Sequence, residues 1–493
     1  MDKDLESIQL TRELIAKAKT AQQKLERYTQ DQVDHIVGLL AQHGYRAAQQ
    51  LAELAYQETG MGRVESKLEK NIFATRTLYY HIKDIQTVGI LTQDLHHQIY
   101  EVATPMGIVA GIIPVTNPTS TSLFKIISAL KARCCIILSP YPKAKNCIQK
   151  TVNIMQNALQ SIGEPEEFIG CLPIPTMEAT HTLMQHPDIA VILATGGGGL
   201  VKAAYSSGKP AIGVGPGNCP AYIEASADIP HAIRCLIISQ SFDWGTICAS
   251  EQSVIIENSI LEQCLQEFQR QEGHICTPEE IKKLEDLMPN DGSIPPALVG
   301  KSPFHIAKIA GFTVPETTKV LIAQQTGVGN EYPLSREKLS AILAMYIVKN
   351  PDEAYQLCHQ LLVYGGIGHS VAIHSKNQKI IQNFALQNKA SRILVNVPSS
   401  QGGVGYATTL SPSLTLGCGS PGGNITSDNI TCKHLLNIKR IAFAHNDFFP
   451  DVPAPKINMF NISKQEKKYR RDPFEDLPTP NRAFYVGPHN NVK

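Results

Sequence analysis

Cys248 stands in the stretch FDWGTICASEQS (242–253), a thiol among small and polar residues, four positions after the chain's only tryptophan, Trp244. As a thiolate it would be a strong nucleophile and later a good leaving group, which suits covalent acyl chemistry. The bland alternative is packing, because an unpaired cysteine usually behaves as a small buried hydrophobe. Packing is the reading for the other eleven cysteines, including Cys134 and Cys135 in the apolar run CCIIL. A second kind of chemistry is offered by ATGGGGLVKAAYSSGKP (194–210), where four glycines stand between an apolar strand and a helix. Bare backbone there could approach a phosphate, with free N–H donors at the helix start, although a plain tight turn is the simpler reading and the GxGxxG fingerprint is missing. GVGPGN (213–218) is another loop of the close-approach type.

The elements that position these residues are legible in the hydrophobic pattern. The 493 residues are 43% hydrophobic and 18% charged with a net charge of +1, which predicts a compact protein of two or three domains and no electrostatic footprint for nucleic acid. The N-terminus lacks a signal-peptide h-region and no window reaches 18 apolar residues, so neither secretion nor a membrane span is expected. Scattered cysteines without CxxC pairs suggest reduced thiols and a cytoplasmic location. Residues 5–85 read as helical, with Thr29 and Gln32 as a capping box ahead of Val33, Ile36, Leu39 and Leu40. Apolar runs at 107–114, 134–138 and 189–193, and again at 253–257, 341–348, 370–374 and 392–396, alternate with helix-length segments. This predicts two α/β domains built on parallel sheets, with a boundary near 230–250. A late strand at 438–444 is expected to pair with 96–103, and the stretch beyond Asn446 reads as an extended tail.

Seven segments in order, GIIPVTNPTST, ILSPYPKAKN, ATGGGG, GVGPGNCP, FDWGTICASEQS, GGIGHS and TLGCGSPGGN, resemble the CoA-acylating branch of the aldehyde dehydrogenase superfamily. The resemblance covers roughly 5–445 and is to the aldehyde dehydrogenase half of bifunctional aldehyde/alcohol dehydrogenases and to stand-alone acetylating enzymes. It implies an aldehyde dehydrogenase-like α/β fold with two Rossmann-like parallel-sheet domains and a small oligomerisation β-extension. The implied divisions are a dinucleotide-binding domain at 1–240, a catalytic domain at 241–430, an oligomerisation strand at 431–446 and a tail at 447–493. No metal-binding alcohol dehydrogenase half is expected.

On that resemblance Cys248 is the nucleophile, leading into the strand SVIIE. The oxyanion donor is Asn117, with Thr116 or the backbone alone as alternatives, because the usual Asn position falls on Thr116. Val214 replaces the glutamate with which hydrolytic relatives activate water, so the thioester would pass to CoA. His369 would deprotonate the incoming thiol or orient CoA or the cofactor, the alternative being a structural histidine. Glu337 matches the residue that holds the nicotinamide ribose. Thr116, Ser139, Pro140, Gly196, Gly197 and Gly215 complete the expected cofactor site for NAD or NADP. NAD is the default, with Lys143 and Lys145 near the adenosine ribose leaving NADP open. The segment 400–424 would line the aldehyde pocket near Gly417 and Cys418, and Arg392 would reach an anionic substrate tail or make a surface salt bridge. No metal is implied.

The expected reaction joins a short aldehyde, first acetaldehyde, with CoA; propionaldehyde, succinic semialdehyde and sulfoacetaldehyde are alternatives. A homodimer or homotetramer is implied. A competing reading makes the chain an interaction or cargo protein, docking to a bacterial microcompartment shell through ISKQEKKYRRDPFEDL in the tail.

Overall fold

The computed structural model describes residues 2–94, 99–289, 291–443 and 472–477. The N-terminal helices are α1 (Lys3–Leu25), α2 (Gln30–Arg46), α3 (Ala48–Thr59), α4 (Val64–Ile72) and α5 (Leu78–Ile82). Thr29 and Gln32 form the expected capping box at the start of α2, which buries Val33, Ile36 and Leu40. Between α4 and α5 the backbone widens into a π-helical turn at Phe73–Thr77. Such turns often mark functional sites, and this one contributes Phe73 to a cavity described below.

The chain then forms β1 (Gly89–Asp94), β2 (Ile99–Pro105), β3 (Ile108–Ile113), α6 (Pro118–Lys131), β4 (Ile136–Pro140), α7 (Lys145–Gln160) and β5 (Ile169–Cys171). There follow α8 (Met177–Gln185), β6 (Ile189–Thr195), α9 (Gly198–Tyr205) and β7 (Ala211–Val214). Five of these strands make a parallel sheet in the order β5-β4-β3-β6-β7. Every residue of β3 and β4 is buried, as expected when helices cover both faces of a parallel sheet.

A second parallel sheet of seven strands has the order β10-β11-β12-β9-β8-β13-β14. Its members are β8 (Cys219–Ile223), β9 (Glu251–Glu257), β10 (Gly273–Ile275), β11 (Val320–Gln324), β12 (Ile342–Val348), β13 (Gly368–His374) and β14 (Ala390–Val395), with α10 (Ile229–Ser241) between β8 and β9. Sheet membership therefore changes between Val214 and Cys219, upstream of the boundary expected at 240. The late strand β15 (Leu436–Ala442) pairs antiparallel with β2, in the register Ile438 to Ala103 and Arg440 to Glu101. This is the expected pairing; 96–98 and 444 lie outside the described residues. β1 completes that three-stranded sheet.

Of the expected tail, only 472–477 is described. It lies on the chain's own N-terminal helices: Phe474 is buried against the rings of Tyr45, Tyr79 and Tyr80, and Gln42 donates to the Pro473 carbonyl at 2.5 Å. Among the described residues no helix is long and apolar enough to cross a membrane.

Candidate active site

Cys248 follows α10 through a turn at Phe242–Gly245, in which Asp243 and Trp244 adopt left-handed backbone angles, φ 50° and 51°. Non-glycine residues occupy that region at a cost, and only when their surroundings hold them there. Here the anchor is Asp243, whose buried carboxylate takes an N–H from Arg63 at 2.7 Å and the ammoniums of Lys67 and Lys70 at 3.1 and 2.5 Å. Burial opposes the ionised Asp243, but the two ammoniums outweigh it and hold the carboxyl at about 2.

The turn delivers a partly exposed Cys248 to His369 on β13. The imidazole Nε2 stands 3.2 Å from Cys248 Sγ, while Nδ1 lies 3.0 Å from Ser370 Oγ. Arg392, on the adjacent strand β14, donates to Ser370 Oγ at 3.1 Å and to the carbonyls of His369 and Gly417 at 2.8 and 2.6 Å. Ser370 Oγ has two lone pairs, so it can accept from Arg392 and from Nδ1–H, the tautomer that leaves Nε2 free to take a proton. Burial pushes the Cys248 thiol up to about 12 and the His369 imidazole down to about 3, so both are neutral at pH 7.

The loop that crosses between the two sheets packs against the backbone of Cys248 and the His369 ring. Gly217 N–H donates to Glu337 Oε1 at 2.8 Å, and a Cβ on Gly217 would fall 1.9 Å from the Cys248 carbonyl oxygen. Only glycine permits this approach. Burial raises the Glu337 carboxyl to about 7. Val214, at the end of β7, is buried with Ile247, Ala249 and Cys418 in an apolar cluster against which Cys248 packs.

Asn117 is the N-cap of α6, at the end of the loop after β3. Lys70 Nζ donates to its Oδ1 at 2.6 Å, and its Nδ2 faces Thr116 Oγ1 at 3.0 Å and the Thr246 carbonyl at 3.4 Å, two residues before Cys248. The remaining cofactor candidates gather along one edge of the five-stranded sheet. Ser139 and Pro140 close β4, and Gly196 and Gly197 follow β6. Strand order reverses between β3 and β6, the kind of switch point outside which nucleotides bind in open α/β sheets. The flanks of Gly197, Gly198, Gly199 and Gly215 are open, with no heavy atom within 4 Å of a built Cβ. The Ser139 hydroxyl is buried and paired with Thr180 at 2.9 Å, so the backbone is the part of Ser139 open to a ligand.

Beside the thiol loop lies a narrow pocket lined by the apolar residues Phe73, Phe242, Ile247, Val404 and Leu414 together with the charged residues Glu69 and Lys70. A model of the aldehyde dehydrogenase family matches residues 7–276. The chain belongs to the aldehyde dehydrogenase family.

This aldehyde dehydrogenase is 49% identical to an acetylating aldehyde dehydrogenase from Geobacillus thermoglucosidasius of known structure, with a TM-score of 0.89 over 90% of this chain and 98% of that one. It is 38% identical to the succinate-semialdehyde dehydrogenase (acetylating) of Clostridium kluyveri over 88% of this chain and 96% of the relative. It is 44% identical to the bifunctional aldehyde-alcohol dehydrogenase AdhE of Escherichia coli K12 over 87% of this chain. The chain spans about half the length of the bifunctional relatives it matches.

The aldehyde dehydrogenase fold brings Cys248 and His369 into contact and sets Glu337 on the loop that packs against Cys248. From the segment 400–424 it supplies Gln401, Val404, Tyr406 and Leu414 to the cavity wall. Gly417 and Cys418 are not among the lining residues: Cys418 is buried in the apolar cluster that includes Phe73, Ile247 and Val404 of the wall, and Gly417 lies close to the Thr426 carbonyl. Arg392 departs from both expectations, since it is 3% exposed and committed to carbonyls and Ser370 behind His369. The trio Lys67, Lys70 and Asp243 was not foreseen, because charged residues on a helix read as a solvated face. The phosphate-sized glycine edge and the buried Glu337 carboxyl fit a nicotinamide nucleotide. One group of metal-type donors occurs among the described residues, His274, Cys276 and Glu280. It lies on and just after the edge strand β10, where Glu280 already caps a helix by accepting the Thr277 N–H at 2.9 Å.

Proposed function

We propose that the enzyme joins a short-chain aldehyde to CoA, forming acyl-CoA while reducing NAD(P)+ to NAD(P)H with release of a proton, in a reversible reaction through a thioester on Cys248. The observation that carries this reading is the neutral His369 imidazole 3.2 Å from the Cys248 sulfur. As the sulfur bonds to the carbonyl carbon, the thiol proton passes to Nε2 and the carbonyl electron pair moves onto oxygen. Donors for that oxyanion are the Asn117 amide, oriented by Lys70, and the Cys248 backbone N–H. A bound nicotinamide nucleotide supplies acceptance of the hydride from that carbon, which leaves the thioester. Thr116, Pro140, Gly196, Gly197, Gly215 and Glu337 would hold the nucleotide.

His369 first gives its proton up to solvent and then takes the proton of the CoA thiol, whose sulfur attacks the thioester carbon; as the adduct collapses, Cys248 leaves and takes that proton back from Nε2. Val214 offers no carboxylate to activate water, and this favours acyl transfer over hydrolysis. Acetaldehyde is the first substrate of choice, and the exposed Lys143 just beyond β4 keeps NADP beside NAD as the nucleotide. Assembly as a homo-oligomer would use the sheet β1-β2-β15. The deciding assay mixes enzyme, aldehyde and NAD(P)+ with and without CoA. Turnover should require CoA, and equal turnover without it would reject the reading.

A further inference from the structure

The lining of the cavity beside Cys248 includes two charged residues, Glu69 and Lys70, and two polar ones, Gln401 and Tyr406, among apolar side chains. Glu69, on α4, lines it; its half-buried carboxyl has no hydrogen bond or ion pair among the described residues, and burial raises that carboxyl to about 7. The cationic side chain in the lining, Lys70, has no donor to spare. Its three N–H groups are directed to Asn117 Oδ1 at 2.6 Å, Asp243 Oδ2 at 2.5 Å and Thr246 Oγ1 at 3.1 Å. Arg63, which also acts electrostatically on Glu69, is stacked over the Trp244 ring at 5.2 Å and contacts Glu65. Arg392 is likewise committed behind His369.

An aldehyde ending in a carboxylate or sulfonate would therefore lose its hydration in a cavity whose lining cation is already committed, and above pH 7, where Glu69 is mostly ionised, it would also face a charge of its own sign. Burying a charge without a partner is strongly unfavourable, and a repulsive element is an effective way to reject a competing substrate. An uncharged alkyl chain meets Phe73, Phe242, Ile247, Val404 and Leu414 instead.

We infer that Glu69 fixes the charge class of the substrate, so that the cavity accepts uncharged aliphatic aldehydes and turns away those with an anionic tail. This rests on the acylating function proposed above and on the cavity being the seat of the aldehyde's carbon chain.

The test compares butyraldehyde with succinic semialdehyde, equal in carbon number and different in charge, with CoA and each nicotinamide nucleotide at pH 8.5, where the Glu69 carboxyl is ionised. Wild-type enzyme should favour butyraldehyde in kcat/KM by roughly 100-fold or more. In Glu69→Gln the ratio should fall at least about tenfold, and in Glu69→Lys further still. A wild-type preference under threefold, or an unchanged ratio in a folded Glu69→Gln enzyme, overturns the inference. Should neither variant fold, the wild-type ratio alone decides. CoA-dependent turnover of neither aldehyde, nor of acetaldehyde, would instead sink the acylating function on which the inference rests.

Discussion

Cys248 Sγ and His369 Nε2 are 3.2 Å apart, yet they form no thiolate–imidazolium pair. Burial raises the thiol to about 12 and lowers the imidazole to about 3, so in the free enzyme the proton stays on sulfur. Inactivation of the substrate-free enzyme by iodoacetamide should thus accelerate about tenfold per pH unit up to at least pH 10, tracking the thiolate fraction. A rate plateau beginning near pH 5 would show a standing ion pair and contradict this.

Replacing His369 by Gln removes the proton acceptor while keeping a polar side chain of similar bulk. The aldehyde kcat/KM should drop by roughly 10²–10⁴-fold, the usual worth of a positioned acid–base group. A loss under tenfold in a folded protein would return His369 to a structural role.

Much of the fold was legible because buried parallel strands leave apolar runs. GIVAGIIP became β3, IAVIL part of β6 and SVAIH part of β13. β11, VLIAQ, is an apolar run outside that reading, whereas in β8 the composition hides the run. β8 is CPAYI, with Pro220 at a register shift against β9, and proline argues against a central strand. The glycine loops stand out by residue type, and the roles proposed for Cys248, His369 and Glu337 rest on a resemblance. The charged residues behind them were illegible because their partners are distant in the chain: Lys70 meets Asp243 across 173 positions. In the same way Lys125, fully buried on α6, spends its ammonium on the carbonyls of Ile112 and Leu193.

Asp243→Asn would leave the buried ammoniums of Lys67 and Lys70 without a counterion. Breaking such a pair on one side typically costs about 3–5 kcal/mol, and a drop of that size in urea-unfolding free energy is expected at pH 7. The Asp243 carboxyl titrates at about 2 when folded, below its ordinary 3.8. Its contribution is accordingly full above 3.8 and is lost as pH falls toward 2. The gap between wild type and variant should narrow across that window, and a gap independent of pH would contradict the assignment.

Arg392→Lys keeps the charge but loses the planar fork that ties Ser370 to the carbonyls of His369 and Gly417. A stability loss of about 1–3 kcal/mol is expected, from carbonyls left without donors. kcat should fall with it as the imidazole loses its fixed orientation. A stable variant with unchanged kcat would show that the fork is dispensable.

Gly217→Ala would set a methyl group 1.9 Å from the Cys248 carbonyl oxygen. The crossing loop or the nucleophile turn must shift, and misplacement of about 1 Å is enough to cost 10²-fold in rate. Activity should fall by about that factor, and wild-type kcat would mean that the loop is free to move without consequence.

The most direct measurement is intact-protein and peptide mass spectrometry of the enzyme incubated with acetaldehyde and NAD(P)+ in the absence of CoA, then again after CoA is added. The account predicts an acetyl group on the Cys248 peptide that disappears as acetyl-CoA forms, and no adduct in Cys248→Ala. An unmodified Cys248, or steady release of acetate without CoA, would contradict it.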